Sequence, residues 1–262
     1  MFKLIKKVTK EILLILPIFN VIFIKLYFKI RKTKIKIHGY ESDFFLMSNE
    51  SYQKYNIKNL NNIKNFTGVD KEFNYEYAFS KKIIDESSKD KIIFDVGAAY
   101  GHYSWLFSKL NKEVFCFEGD NLALFFLRKN LVKLNNVKII NKYVKESFSL
   151  NMFCKSNNLY PDLVKIDVEG DEIDILKHSG DLLKNKTKFI IEFHRRIILK
   201  KNNDNEIINN FFEIFKQSNY CIEYNGHHDA ESLLNYGISD KVWSKSMPEK
   251  NDNFSIFCYP KD

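Results

Sequence analysis

Apolar strand-like segments alternate with amphipathic helix-like segments from about Tyr75 onward, and this alternation restricts the fold more than any other feature of the chain. The strand-like segments are short and rich in Ile, Val and Phe, whereas the segments between them repeat apolar residues with helical spacing. The predicted strands are residues 91–96, 113–117, 137–140, 162–166, 189–193, 220–224 and 254–259, and the predicted helices are residues 103–110, 122–134, 172–183 and 206–217. Strands that alternate with helices form a mostly parallel sheet covered on both faces. The sequence therefore predicts a doubly wound α/β domain whose last two strands form a hairpin-like pair.

Basic residues are concentrated at the start of the chain. The 262 residues include 41 Lys and Arg against 33 Asp and Glu, and ten of these bases lie in residues 1–40 beside a single acid, Glu11. The remaining residues are therefore close to neutral. Composition and pattern together predict a basic, apolar, helical N-terminal arm at 1–40, a linker or helical lead-in at 41–74 and the folded domain at 75–262.

The arm contains the longest apolar run of the chain, residues 12–28. As a helix this run would span about 25 Å, which is short of the membrane hydrocarbon core of about 30 Å. Pro17, Asn20 and Lys25 also interrupt it. Lysines on both sides favour a segment that lies on the anionic cytoplasmic face of a membrane. Packing of the arm on the protein itself or on another subunit is the alternative.

Acidic residues stand at the ends of four predicted strands. The carboxyl ends of parallel strands meet at the same edge of a sheet, and ligands of doubly wound proteins bind there. We therefore expect these side chains to border a ligand site. They are Asp95 in the first strand, Glu118 after the second, Asp167 with Glu169 after the fourth, and Glu192 with His194 at the end of the fifth.

A glycine loop follows the first strand. Gly97 and Gly101 have GxxxG spacing, which differs from the GxGxxG fingerprint of dinucleotide-binding proteins. Glycines allow the backbone to approach a ligand closely. An acid about 20 residues further on, here Glu118, is placed to accept hydrogen bonds from both hydroxyls of a ribose. Asp95 beside the loop is expected either to hold a cationic amino group or to order the loop.

The segments DVGAAYGHYS, FEGD, PDLVKIDVEGDEIDILKHS and IIEFH together resemble the FkbM-type S-adenosylmethionine-dependent methyltransferases. The resemblance covers residues 75–194, and residues 165–172 are its most specific part. It implies the Rossmann-like class I methyltransferase fold, methyltransferase activity and S-adenosylmethionine as the cofactor. The cofactor-binding residues that it implies are Glu76, Asp95, Gly97, Ala98, Gly101, Glu118 and Asp167.

The acceptor is expected to carry a hydroxyl group, as in a saccharide, a glycolipid or a related metabolite. Hydroxyls have a high pKa and benefit from a general base. Asp167, Glu192 and His194 are the predicted catalytic residues, with His194 as the base held by Glu192 or Asp167. A helix-capping or supporting role for His194 stays open. The three side chains are also of the types that bind a divalent metal, but one sequence gives no ligand count, so no metal site is predicted.

Two other functions stay open at this point. The first is methylation of a nucleic acid, which the near-neutral charge of residues 41–262 disfavours, because nucleic-acid binders need basic grooves. The second is a catalytically silent, membrane-tethered scaffold, which the intact glycine loop and Glu118 disfavour. We therefore expect a cytoplasmic enzyme, peripheral at the membrane, with a small-molecule or glycan acceptor and no nucleic-acid partner.

Overall fold

The computed structural model describes residues 30–37, 39–47, 77–202, 206–226, 243–248 and 254–261. The apolar run at 12–28 and Glu76, one of the predicted cofactor residues, lie outside the described residues. None of the helices in the described part of the chain is long and apolar enough to cross a membrane.

Strands and helices alternate along the folded domain as the sequence pattern predicts. The first described elements are two strands, β1 (Ile30–Ile37) and β2 (Tyr40–Met47). The next elements are α1 (Tyr77–Glu86), β3 (Ile92–Val96), α2 (His102–Lys109), β4 (Glu113–Phe117), α3 (Asn121–Leu131), β5 (Val137–Ile140), α4 (Leu150–Asn157) and β6 (Leu163–Ile166). The last are α5 (Glu172–Lys177), α6 (Gly180–Lys184), β7 (Lys188–Phe193), α7 (Arg195–Asn202), α8 (Glu206–Gln217), β8 (Tyr220–Asn225) and β9 (Phe254–Pro260).

Within the described residues, seven of the strands form one sheet in the order β5-β4-β3-β6-β7-β9-β8. Strands β3 to β7 are parallel to one another, whereas β9 is antiparallel to both β7 and β8. The predicted doubly wound, mostly parallel, Rossmann-like sheet is confirmed. Because β4 and β5 lie on one side of β3 while β6 and β7 lie on the other, the winding reverses between β3 and β6. Ligands of such sheets bind at this reversal.

Apolar residues on both faces of the sheet bury the strands between two layers of helices. On one face, the core contains residues of α1, α2 and α3, such as Phe79, Leu106 and Phe126. On the other face, it contains residues of α4, α5, α6, α7 and α8, such as Leu150 and Phe211. This two-sided core explains why the parallel strands are continuous apolar runs instead of alternating ones.

The structure corrects the predicted arm and linker. Strands β1 and β2 form an antiparallel hairpin, so residues 30–37 are not helical and residues 40–47 are not a linker. In the sequence, Ile35 and Ile37 alternate with lysines, which is the period of a strand with one buried face. Both isoleucines are buried, together with Phe44 of β2, in the same core as α2 and α3.

A second correction concerns the predicted helix at 172–183, which is divided into α5 and α6. The hydroxyl of Ser179 donates to the backbone oxygen of Ile175 at 2.6 Å, and Gly180 follows directly. A serine that bonds back to the preceding turn and a following glycine both weaken a helix at that point. Helices α1, α4 and α7 were not predicted from the apolar pattern.

Candidate functional site

The carboxyl ends of β3, β4, β6 and β7 lie on both sides of the point where the winding of the sheet reverses, and doubly wound sheets have their ligand crevice at this point. The loop after β3 and the loop after β6 touch there, because a Cβ atom added to Gly97 would overlap the backbone oxygen of Asp167. We call the β3 and β4 side the glycine-loop half, which consists of Asp95, residues 97–101 and Glu118. We call the β6 and β7 side the acidic half, which consists of Asp167, Glu169, Glu172, Glu192 and His194.

Residues 97–101 form a tight turn that needs glycine twice. Gly97 has a φ of +75° and Gly101 a φ of +90°, a region that residues with a side chain rarely adopt. The amides of Gly97 and Ala98 donate to the backbone oxygen of Phe117 at 3.0 and 3.2 Å, which joins the loop to the end of β4. The predicted cofactor residues Gly97, Ala98 and Gly101 therefore lie together in one loop at the crevice.

Glu118 joins the loop to the helix that follows β4. Its Oε2 atom accepts a hydrogen bond from the amide of Ala99 at 2.8 Å, and its Oε1 atom accepts one from the amide of Asp120 at 2.7 Å. Burial raises the pKa of the Glu118 carboxyl, and these two hydrogen bonds oppose that effect. The side chain therefore lies beside the glycine loop.

Asp95 is fully buried within β3. Its Oδ2 atom accepts a hydrogen bond from the hydroxyl of Ser104 at 2.5 Å, and its Oδ1 atom lies 3.3 Å from the Nζ atom of Lys165. Two roles were open for Asp95. This geometry agrees with the role of ordering the loop and the helix after it. Direct contact with a cationic group of a ligand does not agree with it, because the carboxylate is not exposed.

Lys165 is one residue that sequence reasoning missed. It lies on β6 directly opposite Asp95, and it is 3% exposed. Its Nζ atom donates to the backbone oxygen of Gly97 at 3.3 Å and lies 3.3 Å from the Oδ2 atom of Asp167. A buried lysine requires such partners, so this side chain links the two halves of the crevice. The available signal was a lysine inside an otherwise apolar strand.

His194 follows β7 and is surrounded by carboxylates of the acidic half. Its Nδ1 atom lies 2.6 Å from Glu172 Oε1, and its Nε2 atom lies 3.2 Å from Glu192 Oε1. The same Nε2 atom lies 3.8 Å from Glu169 Oε2 and 4.0 Å from Asp167 Oδ1. The predicted catalytic residues Asp167, Glu192 and His194 are therefore close together.

The charge state of His194 differs from the one that a base requires. Burial of the imidazole lowers its pKa, but the hydrogen bonds and negative charges of Glu172 and Glu192 outweigh burial and raise the pKa to about 11. Both ring nitrogens then donate to carboxylates, and an imidazolium has no lone pair with which to accept a proton. The predicted role of His194 as the general base does not fit this arrangement.

Glu172 is a second residue that sequence reasoning missed. It is 0% exposed, and besides His194 its Oε1 atom accepts a hydrogen bond from the amide of Gly170 at 3.1 Å. Glu169 and Gly170 have φ values of +55° and +98°, and this turn leads the chain from β6 into α5. An acid in the first turn stabilises a helix when it is exposed at the surface as well. The position of Glu172 in the sequence therefore does not indicate that its side chain is buried.

Comparisons with known proteins give similarity in structure alone. No model of a known protein family matches the chain, and no curated protein matches it in sequence. An O-methyltransferase from Bacillus cereus in complex with SAH has 14% identity and a TM-score of 0.47, over 70% of this chain and 80% of that chain. The fibrillarin pre-rRNA processing protein of Methanococcus jannaschii has 15% identity and a TM-score of 0.47, over 88% and 84%. The precorrin-6y C5,15-methyltransferase of Geobacter metallireducens has 17% identity and a TM-score of 0.40, over 65% and 81%. At these values the likeness says nothing about activity or substrate, which have to be inferred from the residues of this chain.

Proposed function

We propose that this chain is an S-adenosylmethionine-dependent methyltransferase that methylates a hydroxyl oxygen. The observation that carries the proposal is the hydrogen bond between the glycine loop and Glu118. At the carboxyl ends of β3 and β4, Glu118 Oε2 accepts this bond from the amide of Ala99 at 2.8 Å. The motif resemblance to the FkbM-type methyltransferases supports the same function.

The glycine-loop half fits the cofactor. Each carboxylate oxygen of Glu118 accepts one backbone hydrogen bond and can accept a further one, so the carboxylate is able to receive both hydroxyls of a ribose. Gly97, Ala98 and Gly101 would hold the rest of the cofactor with a backbone that carries no large side chain. Asp95 would support this loop from beneath, through Ser104 and Lys165.

When bound, S-adenosylmethionine would supply a methyl group on a positively charged sulfur. Transfer would form a bond from the acceptor oxygen to that carbon and break the carbon–sulfur bond, with the electron pair left on sulfur. The chain has to position the acceptor oxygen and remove its proton. Glu192 and Asp167 are partly exposed carboxylates beside the crevice, and they are suited to accept a hydrogen bond from a hydroxyl. His194 would act as a hydrogen-bond donor that fixes Glu192.

The acceptor that we propose is an uncharged, hydroxyl-rich molecule such as a saccharide or the glycan of a glycolipid. Asp167, Glu169 and Glu192 make this half of the crevice negative, with the Glu169 side chain 76% exposed. Residues 41–262 are close to neutral in charge, whereas a nucleic-acid acceptor would require a basic groove.

Calorimetric titration with S-adenosylmethionine tests the proposal. Glu118→Ala should weaken binding about ten-fold or more, because two hydrogen bonds to a charged group, at about 1.5 to 3 kcal/mol, are lost. Glu113→Ala is the matched control on the same strand, since Glu113 lies at the far end of β4 and pairs with the exposed Lys138. If the wild-type chain and Glu118→Ala bind with equal affinity, the assignment of Glu118 as a cofactor-binding residue is rejected. If neither chain binds, the methyltransferase function is rejected in favour of a silent scaffold.

We also propose that the basic and apolar residues 1–29 attach the enzyme to an anionic membrane surface at the cytoplasmic face. Each Lys or Arg near such a surface contributes about 1 kcal/mol, so the lysines of this segment would together contribute several kcal/mol. The truncation that tests this has to begin at Ile30, since a chain that begins near Gly39 would lose the buried Ile35 and Ile37. The full chain should float with phosphatidylserine vesicles, less so at high salt, and the chain from Ile30 should not. Flotation of both chains would contradict the proposal.

A further inference from the structure

We propose that Asp167, Glu192 and His194 form a binding site for a divalent cation of the Mg²⁺ or Mn²⁺ kind, and that this ion holds the hydroxyl group of the acceptor. The inference rests on the proposed function for the role of the ion, but the binding of the ion itself is independent of that function.

The distances between the donor atoms suit a single octahedral ion. The Nε2 atom of His194 lies 3.2 Å from Glu192 Oε1 and 4.0 Å from Asp167 Oδ1, and one ligand atom from each of the three residues lies within 4.8 Å of the others. Ligands at about 2.1 Å from an octahedral ion are about 3 Å apart when adjacent and about 4.2 Å apart when opposite. The three donors therefore need only small side-chain movements to meet one ion.

The imidazole is already oriented for metal binding. Glu172 is 0% exposed, and its Oε1 atom lies 2.6 Å from His194 Nδ1, the ring nitrogen that faces away from the other carboxylates. The amide of Gly170 fixes Glu172 in turn at 3.1 Å. A histidine that binds a metal commonly donates its other N–H to such a carboxylate, which fixes the tautomer and the ring orientation. This arrangement directs Nε2 toward Asp167 and Glu192. On binding, the ion would take the place of the Nε2 proton, which is released to solvent, and of the hydrogen bond to Glu192, while Nδ1 keeps its proton on Glu172.

Four carboxylates of the acidic half lie close to one imidazole. Carboxylate oxygens of Asp167, Glu169, Glu172 and Glu192 all lie 4.0 Å or less from a ring nitrogen of His194. Lys165 lies 3.3 Å from Asp167 but is shared with the buried Asp95, and Lys201 pairs with Asp171. A dication would offset this excess of negative charge.

The chemistry of the donors selects the ion, and their exposure allows it to meet the acceptor. Two carboxylates and one imidazole with open positions are typical of hard, six-coordinate ions. The side chains of Asp167 and Glu192 are 29% and 15% exposed, so solvent reaches them. Three protein donors leave three positions for water or for hydroxyl groups of the acceptor, next to the loop that would hold the methyl donor.

Titration of the metal-free full chain with MnCl₂, followed by electron paramagnetic resonance of free Mn²⁺, tests the proposal. We expect one saturable site per chain, competed by MgCl₂. Glu192→Gln and Asp167→Asn should each weaken Mn²⁺ binding at least ten-fold. Loss of a residue that only hydrogen-bonds to a metal ligand already lowers metal affinity about 10- to 100-fold. Asp174→Asn is the matched control, because Asp174 is a partly exposed acid on α5 beyond the site. A site that survives Glu192→Gln unchanged, or the absence of a saturable site, would overturn the proposal.

A second measurement needs no substitution. Mg²⁺, which is diamagnetic, should on binding at this site shift the NMR signals of the His194 ring more than those of the His178 ring, and the reverse pattern would overturn the proposal. Calorimetry with S-adenosylmethionine in the presence of EDTA separates the two proposals. If the chain binds the cofactor but has no manganese site, only the proposal of a metal site is rejected. If it has a manganese site but does not bind the cofactor, only the proposed function is rejected.

Discussion

The two halves of the crevice hold their carboxylates in different ways. In the glycine-loop half, Glu118 is bonded to two backbone amides, and Asp95 is bonded to Ser104 and lies beside Lys165. In the acidic half, Glu172 and Glu192 instead approach opposite sides of one imidazole. The first half is stabilised by hydrogen bonds to fixed groups of the fold, whereas the second is a cluster of like charges around a single cationic ring.

This difference separates two tasks. Hydrogen bonds that order a loop before a ligand arrives reduce the cost of binding, and they suit a half that recognises a large and constant cofactor. Carboxylates gathered in a partly exposed cluster suit a half that binds a cation or a hydroxyl proton. We therefore expect substitutions in one half to leave the function of the other nearly unchanged, except at Lys165 and Gly97, where the two halves touch.

The largest expected effect is on turnover. Glu192→Gln keeps the size of the side chain but removes its charge, and we expect it to lower the rate of methyl transfer about 100- to 10,000-fold. The affinity for S-adenosylmethionine should change less than about two-fold, because the ion pair of Glu192 is with His194 in the acidic half. Initial rates with an acceptor from a labelled-methyl screen, together with calorimetry, measure both quantities.

The control for this substitution is Glu213→Gln, since Glu213 is an exposed acid on α8 that pairs with Lys216. Its rate should equal that of the wild-type chain. If Glu192→Gln instead lowers the cofactor affinity as much as the rate, the two halves are not separable.

The next effect is on stability, at the side chain that joins the halves. Lys165→Met leaves the buried Asp95 without its cation, and the loss of one partner from a buried ion pair costs about 3 to 5 kcal/mol. Urea unfolding measures the change. The added substitution Asp95→Asn should recover part of the loss, because the buried charge is then removed.

Lys138→Met is the matched comparison for Lys165→Met. Lys138 pairs with Glu113 on the exposed edge of the same sheet, with side chains 60% and 44% exposed, and exposed pairs contribute little to stability. Equal destabilisation by the two substitutions would mean that Lys165 does not stabilise the junction.

Much of the fold could be predicted from the sequence because strand and helix periods are local properties. The predicted strands at 113–117 and 137–140 agree with β4 and β5 to the residue. The hairpin β1–β2 could not be predicted in the same way, because its first strand continues the basic and apolar run of the arm. Burial of Ile35 and Ile37 depends on contacts with distant helices.

The site could be predicted where a motif fixes a residue next to a strand end, as for Gly97 and Glu118. Lys165 and Glu172 could not be assigned, because their roles depend on which strands are neighbours and on which helix face is buried. Asp95 and Lys165 are 70 positions apart in sequence, yet strand register places them opposite each other. The charge of His194 likewise follows from Glu172, whose position beside the ring no local pattern reveals.

The smallest expected effect concerns the support of the glycine loop by the hairpin. Asn130 on α3 accepts a hydrogen bond from the amide of Phe45 at 2.7 Å and donates to the backbone oxygen of Tyr100 at 2.9 Å. Asn130→Ala leaves both backbone groups without this partner, which costs about 1 to 3 kcal/mol of stability. Because Tyr100 belongs to the loop at 97–101, the affinity for S-adenosylmethionine should fall as well, while Mn²⁺ binding should not change.

Thermal unfolding, calorimetry and manganese titration of Asn130→Ala measure these three responses. Asn157→Ala is the control, because Asn157 donates to Phe153 on the exposed side of α4, far from the loop in sequence and on the other face of the sheet. An equal loss of cofactor and manganese binding in Asn130→Ala would mean that the hairpin supports the whole crevice. A loss confined to the cofactor would mean that the glycine-loop half depends on β2, so that a strand in the segment predicted as a linker belongs to the binding machinery.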